Sequence, residues 1–503
     1  MKQQILTILL LSMSLLGVAQ VQTDTITLAK QLREQGHLRR SSALLQAHSH
    51  RYPKDINAIW LYAQNEYWRG HFTRAKKAYK VAVKLQPNKD YLLIDYARSL
   101  TEMGDLKPAE KQLYHLSQPA RSYSDALYLR ARIAYARGEY AKAWDDAERA
   151  HNNNTSNMAA VELLNEIGIA TSHWGRITAG LSVDDQPVTA ITPQLEAGLY
   201  LHRYATLNIG LTAPVYLRGS NVANAQIVTL GATAPFKKIG LQLRADIGIA
   251  RQPYQGIMDW TGDIAVHQTL LKYLNVDLLA EHKPYLNTYS SLDTQIAVTH
   301  MLGSVGWDDA HFIMARAAFD MNYFADGNYT YAAYGYVYAP PIKASIMTLR
   351  FGYGYSYSDS RDNRYTARLS VDSILSLYKV KTTIDGVYNP YFTPAQQHIH
   401  STLVSLLLRP NKRIDVGVNA NVGFYAYAQN PYLYLDKNAA AENIISRGYY
   451  TQSFIPYTLS TFAEWRLSPL YTLRAQYEYK KAFFYTVHTA SVSFKMTIPN
   501  ARR

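Results

Sequence analysis

The chain lacks cysteine altogether, and beyond its first twenty residues it lacks any run of about eighteen consecutive apolar residues. The first absence removes thiolate metal sites, cysteine nucleophiles and a lipidated cysteine anchor, while a thiol-free chain suits reducing and oxidising compartments alike. The second excludes a helical membrane protein, so entry into a membrane would require a closed barrel. Charge is sparse as well, at 18% of 503 residues. The net +14 is spread over both halves of the chain without a basic cluster or a nucleic-acid motif, so these cations read as solvated surface and nucleic acid is not expected as a partner. HExxH, GxSxG, P-loop, EF-hand and helix-opening GxGxxG patterns are missing too, so the chain reads as a non-enzyme with no catalytic, cofactor or metal residues.

What the chain does have is tyrosine: 42 of them, against 13 Phe and 7 Trp. Rings with an apolar body and a polar tip suit wet interfaces. At 48% hydrophobic residues and this length, at least two domains are expected. Lys2, the apolar run Ile5 to Leu16 and the small residues Gly17-Val18-Ala19 have the layout of a secretory signal peptide over residues 1–19. The mature chain is then expected to start near Gln20, in or beyond a bacterial periplasm.

Between residues 20 and 170 the sequence repeats. Gly36, Gly70, Gly104 and Gly138 recur every 34 residues, and so do Ala29, Ala63, Ala97 and Ala131. Leu38, Phe72, Leu106 and Tyr140 follow each Gly by two, and Ala75, Ala109 and Ala143 lie further along the same frame. The pattern resembles the tetratricopeptide repeat and implies an α-solenoid of about four repeats. Small residues would let paired helices approach, and each Gly would end a first helix. A polar breaker, Asn152 to Asn157, precedes a capping helix expected near Asn157 to Gly168. Such a solenoid offers either a groove for a protein partner or a spacer for the next domain.

After Trp174 the period changes to two. Leu241, Leu243, Ala245, Ile247 and Ile249 alternate with Gln242, Arg244, Asp246 and Gly248, and the same alternation runs through Thr348 to Tyr357, Ile414 to Phe424 and Tyr471 to Tyr479. Segments of nine to eleven residues with this dyad pattern have the length of outer-membrane strands, apolar toward lipid and polar toward a lumen. Tight turns are expected near Arg203-Tyr204, Phe236 to Lys238, Lys272-Tyr273, Ser304 to Asp308, Pro340 to Lys343, Tyr378-Lys379, Pro410 to Arg413 and Ser468-Pro469. Eight such turns predict about eighteen strands, or sixteen if the weak one near Ser304 is discounted. Gln429 to Gln452 reads as a large extracellular loop.

The succession of signal peptide, tetratricopeptide repeats and Tyr-rich barrel resembles the export proteins of bacterial exopolysaccharides: the cellulose-synthase operon C protein, the poly-N-acetylglucosamine porin and YaiO-type barrels. Locally the resemblance rests on Gly386 to Pro394, with Tyr388, Asn389, Pro390, Tyr391, Phe392 and Pro394 as the family-like barrel motif, on Trp174-Gly175 and on the closing strand Tyr485 to Met496. It implies a bacterial outer-membrane protein with its N-terminal domain in the periplasm, passing a polysaccharide received from inner-membrane machinery. Periplasmic or inner-membrane proteins would be partners of the repeats, and outer-membrane lipid would surround the barrel.

The expected fold is therefore α + β multidomain, a solenoid over 20–170 followed by an antiparallel transmembrane β-barrel over 172–503. Candidate lumen-lining residues are Arg244, Asp246, Arg350, Arg368, Asp372, Asp415, Asn419, Asn421, Arg474 and Glu478. His398 and His400 share a strand face and could ligate a metal or simply form a polar flank. Asp359 and Asp362 could bind a cation or glycan or belong to a solvated loop, and Asp372, Asp415, Glu196 and Glu478 could serve glycoside hydrolysis only by converging. Two further readings are a surface barrel that organises envelope proteins and exports nothing, and a soluble periplasmic carbohydrate-active β protein.

Overall fold

A computed structural model describes residues 24–499 apart from 186–187, 272, 289, 310–311, 365, 368 and 484. The signal-peptide segment and Arg368 lie outside the described residues. Two compact units divide between Asn165 and Glu166.

Among the described residues the first unit contains four helix pairs, followed by a ninth helix that runs across the division: α1 (Thr25–Glu34), α2 (Leu38–Arg51), α3 (Ile56–Trp68), α4 (Phe72–Leu85), α5 (Asp90–Glu102), α6 (Leu106–Tyr114), α7 (Ser124–Ala136), α8 (Tyr140–Asn153) and α9 (Met158–Ala170). Each repeat glycine ends a first helix in the left-handed region, with φ of 80°, 76°, 78° and 74° at Gly36, Gly70, Gly104 and Gly138. The amide after each one donates back to the carbonyl five residues earlier, as His37 does to Leu32 and Asp105 to Leu100. This is the Schellman closure, which a Cβ at the glycine would strain. The second helices begin at Leu38, Phe72, Leu106 and Tyr140, as the repeat frame predicts. Ala63, Ala97, Ala75 and Ala109 are fully buried where the helices cross, beneath Tyr79, Leu92, Leu93 and Leu100.

The second unit is a closed barrel of sixteen antiparallel strands: β1 (His173–Asp184), β2 (Thr189–His202), β3 (Ala205–Thr212), β4 (Gln226–Phe236), β5 (Leu241–Arg251), β6 (Met258–Thr269), β7 (Leu274–Pro284), β8 (Ala297–Asp308), β9 (Met314–Phe324), β10 (Tyr329–Tyr338), β11 (Met347–Ser360), β12 (Gln397–Asn411), β13 (Ile414–Lys437), β14 (Tyr457–Ser468), β15 (Tyr471–Lys481) and β16 (Thr486–Ile498). Each pairs with its neighbours in the chain, and β1 closes on β16 from His173↔Ile498 to Asp184↔Val487, which leaves no open edge.

Most outward side chains across the middle of the strands are apolar and exposed, among them Ile177, Ile247 (68% exposed), Ile264, Val305, Phe351 and Val492. A continuous apolar belt of this kind is the surface of a membrane-spanning barrel and rules against the soluble β protein. Aromatic residues flank the belt. Trp307, Trp465, Tyr471 and Phe494 face outward near one rim, and Tyr355, Tyr357, Tyr425, Tyr457 and Tyr479 near the other. On β14 the eight steps from Trp465 to Tyr457 span about 27 Å of strand, or about 20 Å along the barrel axis at a typical tilt, close to the height of an outer-membrane apolar band.

Every connection at one rim is eight residues or fewer, while the other rim carries the long ones, 213–225, 285–296 and 361–396, beside short turns such as 325–328. Turns at 203–204, 237–240, 270–273, 309–313, 339–346, 412–413 and 469–470 form the short-turn rim, where β1 begins and β16 ends. Three expectations are corrected here. The turn predicted at Ser304 to Asp308 falls one step later, because β8 runs to Asp308. Tyr378-Lys379 is no rim turn: it follows helix α10 (Val371–Leu377) inside the long 361–396 connection at the opposite rim, which leaves seven short turns and the sixteen strands at the lower end of the expected range. Gln429 to Gln452 is a hairpin rather than a loop, since β13 continues past the barrel wall and pairs with Asn443–Ser453 from Tyr427↔Ser453 to Lys437↔Asn443.

Candidate functional site in the barrel lumen

The same alternation that turns Ile247, Phe351 and Val422 outward turns Arg244, Asp246, Arg350, Asp415, Asn419, Asn421, Arg474 and Glu478 to the inner wall. Asp372 is elsewhere, in the first turn of α10 within the long connection. On the β5–β9 side, Arg244 pairs with Asp246 (3.2 Å) and Asp263 (2.7 Å), Lys283 with Glu281 (2.6 Å), His300 with Asp320 (3.1 Å), and Arg316 with Asp277 (2.7 Å). On the opposite side Asp415 takes Arg466 (2.6 Å) and Arg409 (3.3 Å), Arg474 meets Glu464 (3.4 Å), and Glu478 accepts from Ser460 (2.8 Å). Arg350 is buried at the short-turn rim, where its guanidinium donates to the carbonyls of Phe312, Ala339 and Asp309 and so binds two turns together. Paired charges of both signs keep a wall hydrated without a strong single-sign field.

Rings on the inner wall lie across glycines. Trp174, Tyr338 and Phe462 are direct cross-strand partners of Gly198, Gly352 and Gly417. A Cβ on any of these glycines would collide with the ring. Glycine therefore lets each ring lie flat on the wall with its other face toward the lumen. Cations approach two of them: Arg176 and Lys495 stand 5.4 and 5.3 Å from Trp174, and Arg474 stands 4.7 Å from Phe462. Tyr334 and Tyr336 extend the row above Tyr338 on β10. Of these rings only Trp174 was singled out in the sequence, in the Trp174-Gly175 pair, and the cross-strand glycines become apparent only with the register.

The family-like motif lies in the long connection and folds against the inner wall at the mouth. Tyr391 is 2% exposed, stacked on Phe324 with 3.6 Å between ring centroids, and its hydroxyl donates to Asp326 (2.6 Å). Burial and that carboxylate push the Tyr391 hydroxyl up to about 12, so it remains a donor at physiological pH. Ser290 and Thr288 donate to the carbonyls of Asn389 (3.1 Å) and Pro390 (2.8 Å), the amide of Phe392 donates to Tyr285 Oη (3.4 Å), and Ser360 donates to the Pro394 carbonyl (2.7 Å). The backbone of Val387–Tyr388 pairs with Thr366–Ala367. Further along, Asp362 binds Arg447 (2.9 Å) of the hairpin and Arg364 (3.0 Å), and the amide of Lys381 donates to the Leu435 carbonyl. Tyr285, Phe324, Asp326 and Arg447 were not singled out in the sequence; they lie between 56 and 106 residues from Tyr391, and no local pattern marks them.

The remaining candidates separate. His398 and His400 face outward, bonded to the hydroxyls of Tyr355 (2.9 Å) and Tyr353 (2.7 Å) in the upper aromatic belt. Among the described residues no three His, Asp or Glu are placed to hold a metal. Asp359 accepts from Tyr357, Ser360 and Gln396. Glu196 on β2 meets Arg176, and Asp415, Glu478 and Asp372 stand on three other elements.

In the helical unit the first helices carry a polar ladder. Arg33 donates to Gln64, Gln64 and Trp60 Nε1 to Asp95 (2.8 and 2.9 Å), and Arg98 links Asp95 to Asp125 (3.0 and 2.8 Å). Trp68 and Tyr91 stand exposed beside it.

No family model and no curated protein matches the chain. Among solved structures, a "bacterial polysaccharide outer membrane secretin" is similar over 66% of this chain and 99% of its own, at 10% identity and a TM-score of 0.46. MamA from Desulfovibrio magneticus aligns over 29% of this chain and 85% of its own (15% identity, TM-score 0.27), and a tetratricopeptide repeat protein from Parabacteroides merdae over 29% and 58% (17% identity, TM-score 0.26). The helix pairs, their glycine closures and the sixteen belted strands make this chain a tetratricopeptide-type solenoid followed by an outer-membrane-type β-barrel.

Proposed function

We propose that the barrel passes a polysaccharide across the bacterial outer membrane and that the helical unit stands in the periplasm to hold the proteins that deliver it. The observation that carries the reading is the set of lumenal rings laid flat over glycines, Trp174 on Gly198, Tyr338 on Gly352 and Phe462 on Gly417. A flat ring on a hydrated wall gives a sugar ring a face to slide over, and the flanking ion pairs give its hydroxyls changing hydrogen-bond partners. Arg244, Asp246, Asp415, Asn419, Asn421, Arg474 and Glu478 hydrate that path. Both ends of the barrel chain lie at the short-turn rim, which agrees with a periplasmic position for the preceding repeats. The first-helix ladder of Arg33, Gln64, Asp95 and Arg98, with Trp68 and Tyr91 beside it, is the surface on which a protein partner would dock.

The test is export in cells. A triple Trp174→Ala, Tyr338→Ala, Phe462→Ala chain that still shows heat-modifiable migration should lose most surface polysaccharide, and undiminished surface polymer would count against the reading. One observation favours a second reading, a barrel that organises envelope proteins without transport: the 361–396 connection is fastened at the mouth through Tyr391, Asp362 and Lys381. In that case the same triple variant and a chain with the fastening released would both leave surface polymer unchanged.

A further inference from the structure

At the long-loop mouth a cavity of about 160 Å³ lies between the segment around Thr393 and residues of β12 and β13, with Phe483 in its lining. That is the volume of about five waters of liquid, room for one sugar ring but not for a folded segment. Phe392 and Phe483 contribute apolar lining, and Asn389 and Gln397 contribute polar lining, beside Gln429 and Asn430, whose side chains leave opposite faces of β13 toward Thr451 and toward Tyr450 and Gln452. No charged side chain lines it, in a barrel whose inner wall otherwise carries paired charges of both signs. Thr393 is 5% exposed, and its Oγ1 has no hydrogen-bond partner among the described residues, although its carbonyl is taken by Asn363 (3.1 Å). A buried hydroxyl without a partner is costly; Oγ1 is closed off from solvent, and a turn of the Thr393 side chain into the cavity would let a ligand hydroxyl satisfy it.

We infer that this cavity is a subsite for one uncharged sugar unit, holding the polymer at the mouth of the lumen. The inference rests on the polysaccharide reading and adds to it the charge class of the polymer. Aromatic faces against ring C–H groups, with amide and hydroxyl groups around them and no charge, select a neutral hydroxyl-rich unit. A uronate or an ammonium sugar would be desolvated there without a counter-ion.

The test is calorimetric titration of the full chain in detergent with neutral hexamers of glucose, mannose and N-acetylglucosamine, an anionic galacturonate hexamer and a cationic glucosamine hexamer. At least one neutral hexamer should bind, with both charged hexamers at least tenfold weaker. Thr393→Val and Gln397→Ala should each weaken it about tenfold, and Ala428→Leu, which fills the cavity, should abolish it, while all three variants keep heat-modifiable migration. A charged hexamer binding as tightly as the neutral ones, neutral binding that survives Ala428→Leu, or no binding by any hexamer would each overturn the subsite. Deletion of the gene separates the two claims: if deletion abolishes surface polymer while no hexamer binds, the subsite falls and passage stands. If a neutral hexamer binds as described while deletion leaves surface polymer intact, the subsite stands and passage falls.

Discussion

Tyr391 stacks on Phe324 with 12° between the ring planes, 67 residues away in sequence, and so ties the long connection to the long-loop end of β9. The contact joins the motif by which the chain resembles exopolysaccharide porins to the barrel wall, and with the Asp362–Arg447 pair and the Lys381–Leu435 bond it fastens residues 361–396.

Replacing Tyr391 by Ala should therefore release the connection. Loss of a buried aromatic costs about 3–5 kcal/mol at its site, and the barrel itself, closed independently through β1 and β16, should stay folded. Limited proteolysis should cut within 361–396 in Tyr391→Ala and spare the parent chain. Tyr391→Phe keeps the stack and loses the bond to Asp326, so its cleavage should be intermediate, reflecting about 1–3 kcal/mol.

Acid should loosen the same connection. The hydrogen bond from Arg447 holds the Asp362 carboxyl below the usual carboxylate range; burial opposes this, and the charges of Arg447 and Arg364 reinforce it. A carboxyl lowered on folding stabilises above its unfolded value, near 4, and that contribution is lost as the pH falls through the lower folded value. The protection of residues 361–396 against hydrogen exchange, taken relative to the intrinsic amide rate at each pH, should be constant from about pH 8 to 5 and fall below about pH 4. Asp362→Asn should already exchange faster at neutral pH and show no acid step from this group.

The outer face should tolerate size but not charge. Ile247, fully exposed on the belt, should accept Leu with little change, whereas Ile247→Arg should cost about 2–4 kcal/mol if it meets lipid hydrocarbon. Urea unfolding in liposomes measures the difference, and an Arg at 247 without effect would place that position outside the membrane.

Within the solenoid the crossing alanines admit no growth. Ala97→Leu should lower stability by about 1–3 kcal/mol through overpacking, and Gly104→Ala by about 1–2 kcal/mol through its left-handed backbone. Both should appear in the helical melting signal of the full chain, with the strand signal unmoved.

What the sequence revealed was whatever local chemistry determines. The 34-residue ladder fixed the starts of the second helices at Leu38, Phe72, Leu106 and Tyr140 because a glycine closure and a large apolar residue are local signals. Period two separated Arg244 from Ile247 because strand faces alternate whatever the topology. The Tyr378-Lys379 turn misled because a polar pair after an apolar run looks alike in a rim turn and after the short helix α10. His398 and His400 were correctly placed on one face, but alternation alone cannot say which face meets lipid. The Tyr391 stack, the Asp362 pair with Arg447 and the rings over Gly198, Gly352 and Gly417 depend on register or on contacts distant in sequence, so they required the folded barrel.

The central claim is that the lumen carries polymer, and single-channel recording in planar bilayers addresses it most directly. The purified full chain should give discrete conductance steps, larger in Tyr391→Ala, and a neutral hexasaccharide on one side should interrupt the current for measurable dwell times that shorten in the Trp174→Ala, Tyr338→Ala, Phe462→Ala chain. Inserted barrels that conduct in neither the parent nor the Tyr391→Ala form, or conduct without any response to saccharide, would contradict it.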